Sequence, residues 1–149
     1  MSSLLRTARI GVVLVFILIA DVVMAQQSLF SHGDHVVYIG NTLADRMQHD
    51  AWLETYLHAL LPKHELTVRN LGFSGDEVKQ RQRADNFGDP DLWLTKCEAD
   101  VVFCFFGYNE ALRGEAELDA YKSDLAEMID HMRSQRYNGT SAPKLIVFS

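Results

Sequence analysis

The run VVFCFF at residues 101–106 constrains the fold of this 149-residue chain more than any other stretch, because every residue in it is apolar. A strand with one face in water alternates apolar and polar residues, whereas a strand covered on both faces does not. Coverage of both faces is typical of central strands in parallel sheets. The run therefore predicts an interior strand with helices packed on either side of it.

Strand patterns and helix patterns alternate along the rest of the chain. The predicted strands are residues 36–39, 66–71, 101–106 and 144–148. The predicted helical segments are residues 43–61, 76–83, a short helix that begins near Pro90, and 117–135. This βαβαβαβ order predicts an α/β fold, a three-layer αβα sandwich with a mostly parallel sheet of the flavodoxin-like kind and right-handed crossovers.

Residues 1–25 have the features of a secretory signal peptide. Arg6 and Arg9 precede an apolar run at residues 10–20, and small residues lead to a cleavage site after Ala25. A membrane anchor is the alternative, although the apolar run is shorter than the roughly 20 residues that a spanning helix needs. We expect residues 26–149 to form one exported domain, periplasmic or secreted, with no stable membrane span; its oligomeric state is not predicted.

Composition argues against several partners and cofactors. The formal net charge is −6 and there is no basic stripe, which argues against a nucleic-acid partner. Cys97 and Cys104 have the opportunity to form a disulfide after export, but the position of Cys104 inside a buried strand favours two free structural thiols. Their spacing matches neither a zinc site nor a haem-attachment site. We expect no metal and no cofactor in this chain.

Three loops follow the first three predicted strands, at the edge where chemistry gathers in parallel sheets. In the first loop, Thr42 stands where a helix begins, so its hydroxyl lies near unsatisfied backbone N–H groups and is either a candidate nucleophile or only the helix cap. In the second, the two glycines, Gly72 and Gly75, indicate a tight turn. In the third, Asn109 is a residue type that is common in turns.

The three loops also carry a family resemblance. GNTL at 40–43, NLGFSGDE at 70–77 and FFGYNE at 105–110 resemble, in this order, the first three sequence blocks of the SGNH or GDSL-type hydrolases. The resemblance implies an esterase acting on a small-molecule or carbohydrate ester, with Thr42 as nucleophile and Gly75 and Asn109 in the oxyanion hole. Asn41, Thr42 and Glu110 replace the usual acid, serine and aspartate of the family, and the methyl group of Thr42 crowds attack.

The family takes its catalytic histidine and orienting acid from a loop after the last strand, and this sequence stops at KLIVFS. We therefore expect a C-terminally incomplete domain, a fragment that is inactive as it stands, whose catalytic base is not in this chain. The six histidines are expected at surface positions. The segment RNLGFSGDEV at residues 69–78 also resembles the SGNH-type module of large exported planctomycete-type haem-containing proteins. The haem-attachment motif Cys-x-x-Cys-His does not occur in this sequence.

Two non-hydrolytic alternatives remain. One is a non-catalytic carbohydrate-binding or interaction module that keeps the SGNH fold, with Trp52, Trp93 and Tyr108 as stacking surfaces, although the helical spacing of the tryptophans is more typical of core residues. The other is a flavodoxin-like nucleotide-binding domain. It is disfavoured because Gly40 and Thr42 do not make a phosphate loop.

Overall fold

A computed structural model describes residues 29–82 and 84–148 and contains a four-stranded sheet. The strands are β1 His35–Gly40, β2 Thr67–Asn70, β3 Val101–Phe105 and β4 Lys144–Phe148. They pair in the order β2-β1-β3-β4, and every pair is parallel. The predicted α/β fold with a parallel sheet is confirmed. The predicted signal peptide lies outside the described residues.

The helices connect these strands and cover both faces of the sheet. They are α1 Thr42–Asp50, α2 Trp52–Leu60, α3 Ala84–Phe87, α4 Pro90–Lys96, α5 Tyr108–Ala111 and α6 Leu118–Ser134, with a 3₁₀ turn at Glu115–Glu117 before α6. Pro90 stands at the start of α4, as predicted, where its missing N–H needs no partner. No helix in the described ranges is long and apolar enough to cross a bilayer.

Two helix predictions are wrong. The single helix predicted over 43–61 is divided at Ala51, whose φ of 51° is left-handed. The Ala51 N–H closes α1 by donating to the Met47 carbonyl at 2.9 Å, and its own carbonyl accepts from Thr55 in α2 at 2.8 Å. The segment from residue 76 to 82 is a loop, because the Asp76 carboxylate holds the Gln82 N–H at 2.9 Å in a non-helical arrangement.

Alternate residues of the central strands build two cores. Val37 and Val102 contribute to the core beneath α4 and α6, together with Ile39 and Cys104. Val36 and Phe103 contribute to the opposite core, beneath α1 and α2. All five residues of β3 are buried, which is the burial on both faces that VVFCFF predicts.

The expectation of two free cysteines is confirmed. Cys97 and Cys104 are both free, and burial raises the pKa of the Cys104 thiol to about 12, so this thiol is inert at neutral pH.

The prediction that the tryptophans are core residues is wrong for Trp52, which is 66% exposed at the start of α2. Trp93 is half-buried and stacks on Phe87, with ring centroids 4.2 Å apart.

Candidate active site

The first loop leaves β1 against the end of β3. Gly40 has a φ of 127°, and a Cβ atom there would lie 2.6 Å from the Phe105 carbonyl carbon, so glycine is required. The next residue, Asn41, donates its N–H to the Phe105 carbonyl at 2.9 Å. The end of β1 is therefore fixed directly beside the end of β3.

Asn41, and not Thr42, caps helix α1. The Asn41 side-chain oxygen accepts the Leu43 N–H at 3.0 Å, and Thr42 is the first helical residue. The alternative that Thr42 is only the cap is therefore wrong. Thr42 is half-buried, and its hydroxyl makes no hydrogen bond to the described part of the chain, so it is available to a ligand.

The second loop, residues 71–82, packs against the start of α1. A Cβ atom on Gly72 would lie 2.5 Å from the Ala44 Cβ, and the Phe73 N–H donates to the Gly40 carbonyl at 3.0 Å. The Ser74 hydroxyl also donates to the Asp45 carboxylate in the first turn of α1. These contacts place the second loop beside Thr42.

Gly75 lies in the middle of this loop with a left-handed φ of 92°, which explains the glycine. Its N–H has no hydrogen-bond partner among residues 29–82 and 84–148. An unused backbone N–H at a half-buried position can donate a hydrogen bond to a bound anion, as the N–H groups of an oxyanion hole do.

The third loop and the start of α5, residues 106–110, are tied to the second loop by two side chains. Asn109 donates its side-chain N–H to the Asp76 carbonyl at 3.2 Å, which occupies one of its two amide hydrogens. Glu110 is only 8% exposed, and its two carboxylate oxygens accept the Val78 N–H at 2.9 Å and the Gly107 N–H at 3.0 Å. Glu110 thus holds both loops with one carboxylate.

An open cleft of about 920 Å³ lies over Thr42 at this edge of the sheet. Its wall is mostly apolar and consists of Leu43, Phe105, Phe106, Tyr108, Tyr121 and Phe148. Arg46 provides a cation at the same cleft. The structure thus brings together the loops that carry Thr42, Gly75 and Asn109, but Thr42 lines this cleft and the other two residues do not.

Tyr121 of α6 also lines the cleft, although its place within the predicted helix 117–135 marks it only as a helical residue. Its hydroxyl lies 2.9 Å from the position that a Cβ atom of Gly107 would take. Burial, and then the charge of Glu110, raise the pKa of Tyr121, so the phenol stays protonated and able to donate at neutral pH. Its helical spacing gave no sign of this position.

None of the six histidines lines the cleft over Thr42. His32, His35 and His64 lie near the starts of β1 and β2, at the opposite edge of the sheet. The others lie on helices: His49 in the last turn of α1, His58 beside Glu54 in α2, and His131 with its Nε2 2.6 Å from the Asp91 carboxylate. The described residues therefore place no imidazole beside the Thr42 hydroxyl. They also contain no cluster of three metal-ligating side chains.

The chain resembles known proteins in structure and not in sequence. No protein-family model matches the chain, and no curated protein matches it in sequence. A gut microbial diltiazem-metabolizing enzyme matches with a TM-score of 0.56 and 18% identity, over 79% of this chain and 27% of that one. A variant of an acetyl xylan esterase from Geobacillus stearothermophilus matches with a TM-score of 0.58 and 19% identity, over 80% of this chain and 61% of the esterase.

An alpha/beta hydrolase from the metagenome of Lake Arreo, Spain, matches with a TM-score of 0.55 and 21% identity, again over 80% of this chain and 61% of that one. This chain therefore spans about a quarter to three-fifths of the length of these solved proteins. At such identities the likeness concerns the fold. The chain has the α/β fold that these esterases and hydrolases share.

Proposed function

We propose that this chain is part of an exported SGNH-type esterase that hydrolyses a small-molecule or carbohydrate ester. One observation carries the proposal: the loops of Thr42, Gly75 and Asn109 contact one another, and the Thr42 hydroxyl and the Gly75 N–H have no hydrogen-bond partner in the described chain. A free hydroxyl and free N–H donors on adjoining loops are the groups that acyl transfer needs.

In the proposed reaction, the Thr42 oxygen attacks the ester carbonyl carbon and loses its proton to a base. The oxyanion accepts hydrogen bonds from the Gly75 N–H and from the second amide hydrogen of Asn109. The alcohol then leaves with the proton, which gives an acyl-threonine. Water attacks the acyl group, releases the acid and restores the hydroxyl. The threonine methyl group makes the first step slower than it would be for serine.

The base is proposed to lie outside these 149 residues, in an Asp-x-x-His motif encoded downstream of Ser149. Support for this comes from the cleft over Thr42, where no described histidine lies. The chain by itself is then inactive, and the extended protein is active. The downstream reading frame is the first test, because a stop codon directly after Ser149 would end the triad proposal.

An acetylated carbohydrate is the substrate class we propose. Its support is the likeness in fold to an acetyl xylan esterase. Tyr108 supports it further, because this residue is 69% exposed, lines the cleft and offers an aromatic ring on which a sugar can stack.

The kinetic test compares 4-nitrophenyl acetate hydrolysis by the extended protein and its Thr42→Ala, Thr42→Ser and Thr55→Ala variants. Thr55 is an exposed threonine of α2 and serves as the matched control. We expect a loss of at least about 100-fold in kcat for Thr42→Ala, no change for Thr55→Ala and a faster Thr42→Ser. Equal rates for wild type and Thr42→Ala would remove Thr42 as nucleophile.

A non-catalytic carbohydrate-binding module is the second candidate, favoured by the same lack of an imidazole at the cleft. It predicts that a xylo-oligosaccharide binds to the extended protein without turnover of any ester. Loss of that binding in Tyr108→Ala, measured by calorimetry, would support this second candidate.

A further inference from the structure

A second groove, of about 330 Å³, lies between the second loop, α4 and α6. Its floor is buried and apolar, formed by Ile39, Val78, Leu94 and Met132. It shares no residue with the cleft over Thr42. The volume is within the range of small-molecule sites, which begins at about 300 Å³.

Arg81 reaches into this groove with almost no polar contact. Its guanidinium carbon lies 4.2 Å above the centre of the Phe106 ring, and its Nη2 donates to the Met128 sulfur at 3.5 Å. No carboxylate of the described residues lies within 4.0 Å of it. A guanidinium has five N–H donors, and a thioether is a weak acceptor, so most of these donors lack a strong acceptor from the described chain.

Burial lowers the pKa of Arg81, against the opposing charges of Asp76 and Glu110. The guanidinium nevertheless stays charged at neutral pH, because an arginine pKa begins above 12. A desolvated cation without a hydrogen-bonded anion is unfavourable, and an anion that accepts its N–H groups removes that penalty.

The other charged groups that face the groove already have partners. Lys79 lies 2.5 Å from Glu127 and 4.0 Å from Asp124. The two oxygens of Asp91 contact His131 at 2.6 Å and the Tyr137 hydroxyl at 2.5 Å. The acids at the rim are therefore compensated locally, whereas Arg81 lines the same groove with its guanidinium stacked on Phe106 and without a hydrogen-bonded carboxylate of the described residues.

We propose that this groove binds a small organic carboxylate. The carboxylate accepts two parallel N–H bonds from the Arg81 guanidinium, a pairing that its planar fork favours. The apolar body of the ligand covers Ile39, Leu94 and Met132 on the floor. This binding site is independent of the proposed esterase function, because it does not use Thr42, Gly75 or Asn109; the residue that links it to that cleft is Phe106, on which Arg81 stacks.

The test is a titration of the full chain with benzoate, followed by ¹H–¹⁵N NMR. We expect saturable shifts of the Val78 and Met132 amides and of the Arg81 Nε–H, with a Kd of about 1 mM or tighter. Benzamide has the same ring without the charge and acetate has the charge without the ring, so both should bind at least about tenfold more weakly. Inorganic phosphate tests for a general anion site.

The variants are Arg81→Gln and, as a matched control, Arg136→Gln, whose guanidinium is exposed and bonds to nearby carbonyls of its own turn. We expect Arg81→Gln to weaken benzoate at least about tenfold and Arg136→Gln to leave it unchanged. Unsaturable benzoate shifts, equal binding by Arg81→Gln, or phosphate binding as tight as benzoate would overturn the proposal. If Arg81→Gln fails to fold, the Arg81 Nε–H shift in the wild-type protein decides alone.

Discussion

Replacement of Glu110 by glutamine should destabilise the protein and loosen two loops together. The Glu110 carboxylate is buried and accepts one backbone N–H from the second loop and one from the third. Glutamine keeps one acceptor oxygen but turns an NH₂ group toward the other N–H. The change replaces a charge-assisted bond by an unsatisfied buried donor, so we expect a loss of about 2 to 4 kcal/mol in the free energy of unfolding.

The assay is urea unfolding at neutral pH, together with hydrogen exchange at the Val78 and Gly107 amides, the two donors to Glu110. Both amides should exchange faster in Glu110→Gln. The matched control is Glu117→Gln, at an exposed glutamate of the 3₁₀ turn, which should change stability by less than about 0.5 kcal/mol. Glu110→Asp keeps the charge on a shorter side chain and should fall between the two.

A loss below about 0.5 kcal/mol in Glu110→Gln would refute this reasoning. So would a larger loss that leaves exchange at Val78 and Gly107 unchanged, because the carboxylate would then not be their acceptor.

Two further predictions concern the sheet. Gly40→Ala should lower the free energy of unfolding by more than about 4 kcal/mol, since the new Cβ would lie 2.6 Å from the Phe105 carbonyl carbon. Melting temperature and soluble yield measure this, and a variant as stable as the wild type would contradict the prediction. The control is Gly139→Ala, where no atom lies within 4 Å of the new Cβ and only about 1 kcal/mol of backbone strain is expected. Burial raises the pKa of Tyr38 and of Tyr137, so the folded state favours their protonated forms. Their contribution to the free energy of unfolding should be fully present below about pH 10, where unfolded tyrosine titrates, and should be lost as the pH rises above it. Urea midpoints at about pH 8 and about pH 11 measure this, Tyr38→Phe should reduce the fall, and identical midpoints would rule it out.

The strands and loops of this protein could be predicted because their signals are local. VVFCFF predicts a strand buried on both faces, and the glycine and asparagine loops predict which residues meet at the carboxyl edge. The break at Ala51 could not be predicted, because alanine has the highest intrinsic helix propensity and the left-handed turn there runs against it. The loop at residues 76–82 could not be predicted either, because its backbone is held by the side chains of Asp76 and Glu110, and such contacts leave no periodic pattern in the sequence.

The positions of the candidate site residues in the fold, though not their roles, were predicted in part for the same reason. That Thr42 stands at the first turn of a helix follows from the sequence, but that Asn41 takes the capping role is a matter of side-chain geometry. Arg81 gave no sequence signal, because it stands in a polar stretch, VKQRQR, typical of a solvated surface. Its burial depends on Phe106, the residue directly after β3, which follows it in the chain by 25 positions.

The position of β1 in the sheet has a consequence for how the chain folds. β1 comes first among the four strands, yet it lies between β2 and β3, and Val36 pairs with both Val68 and Val101. Neither ladder can close until a long loop has been ordered, and such non-local pairing is typical of domains that fold in milliseconds to seconds. During synthesis, the side of β1 that pairs with β3 therefore stays open after β2 has been made and until β3 follows, and in this interval it is exposed to aggregation and to chaperones.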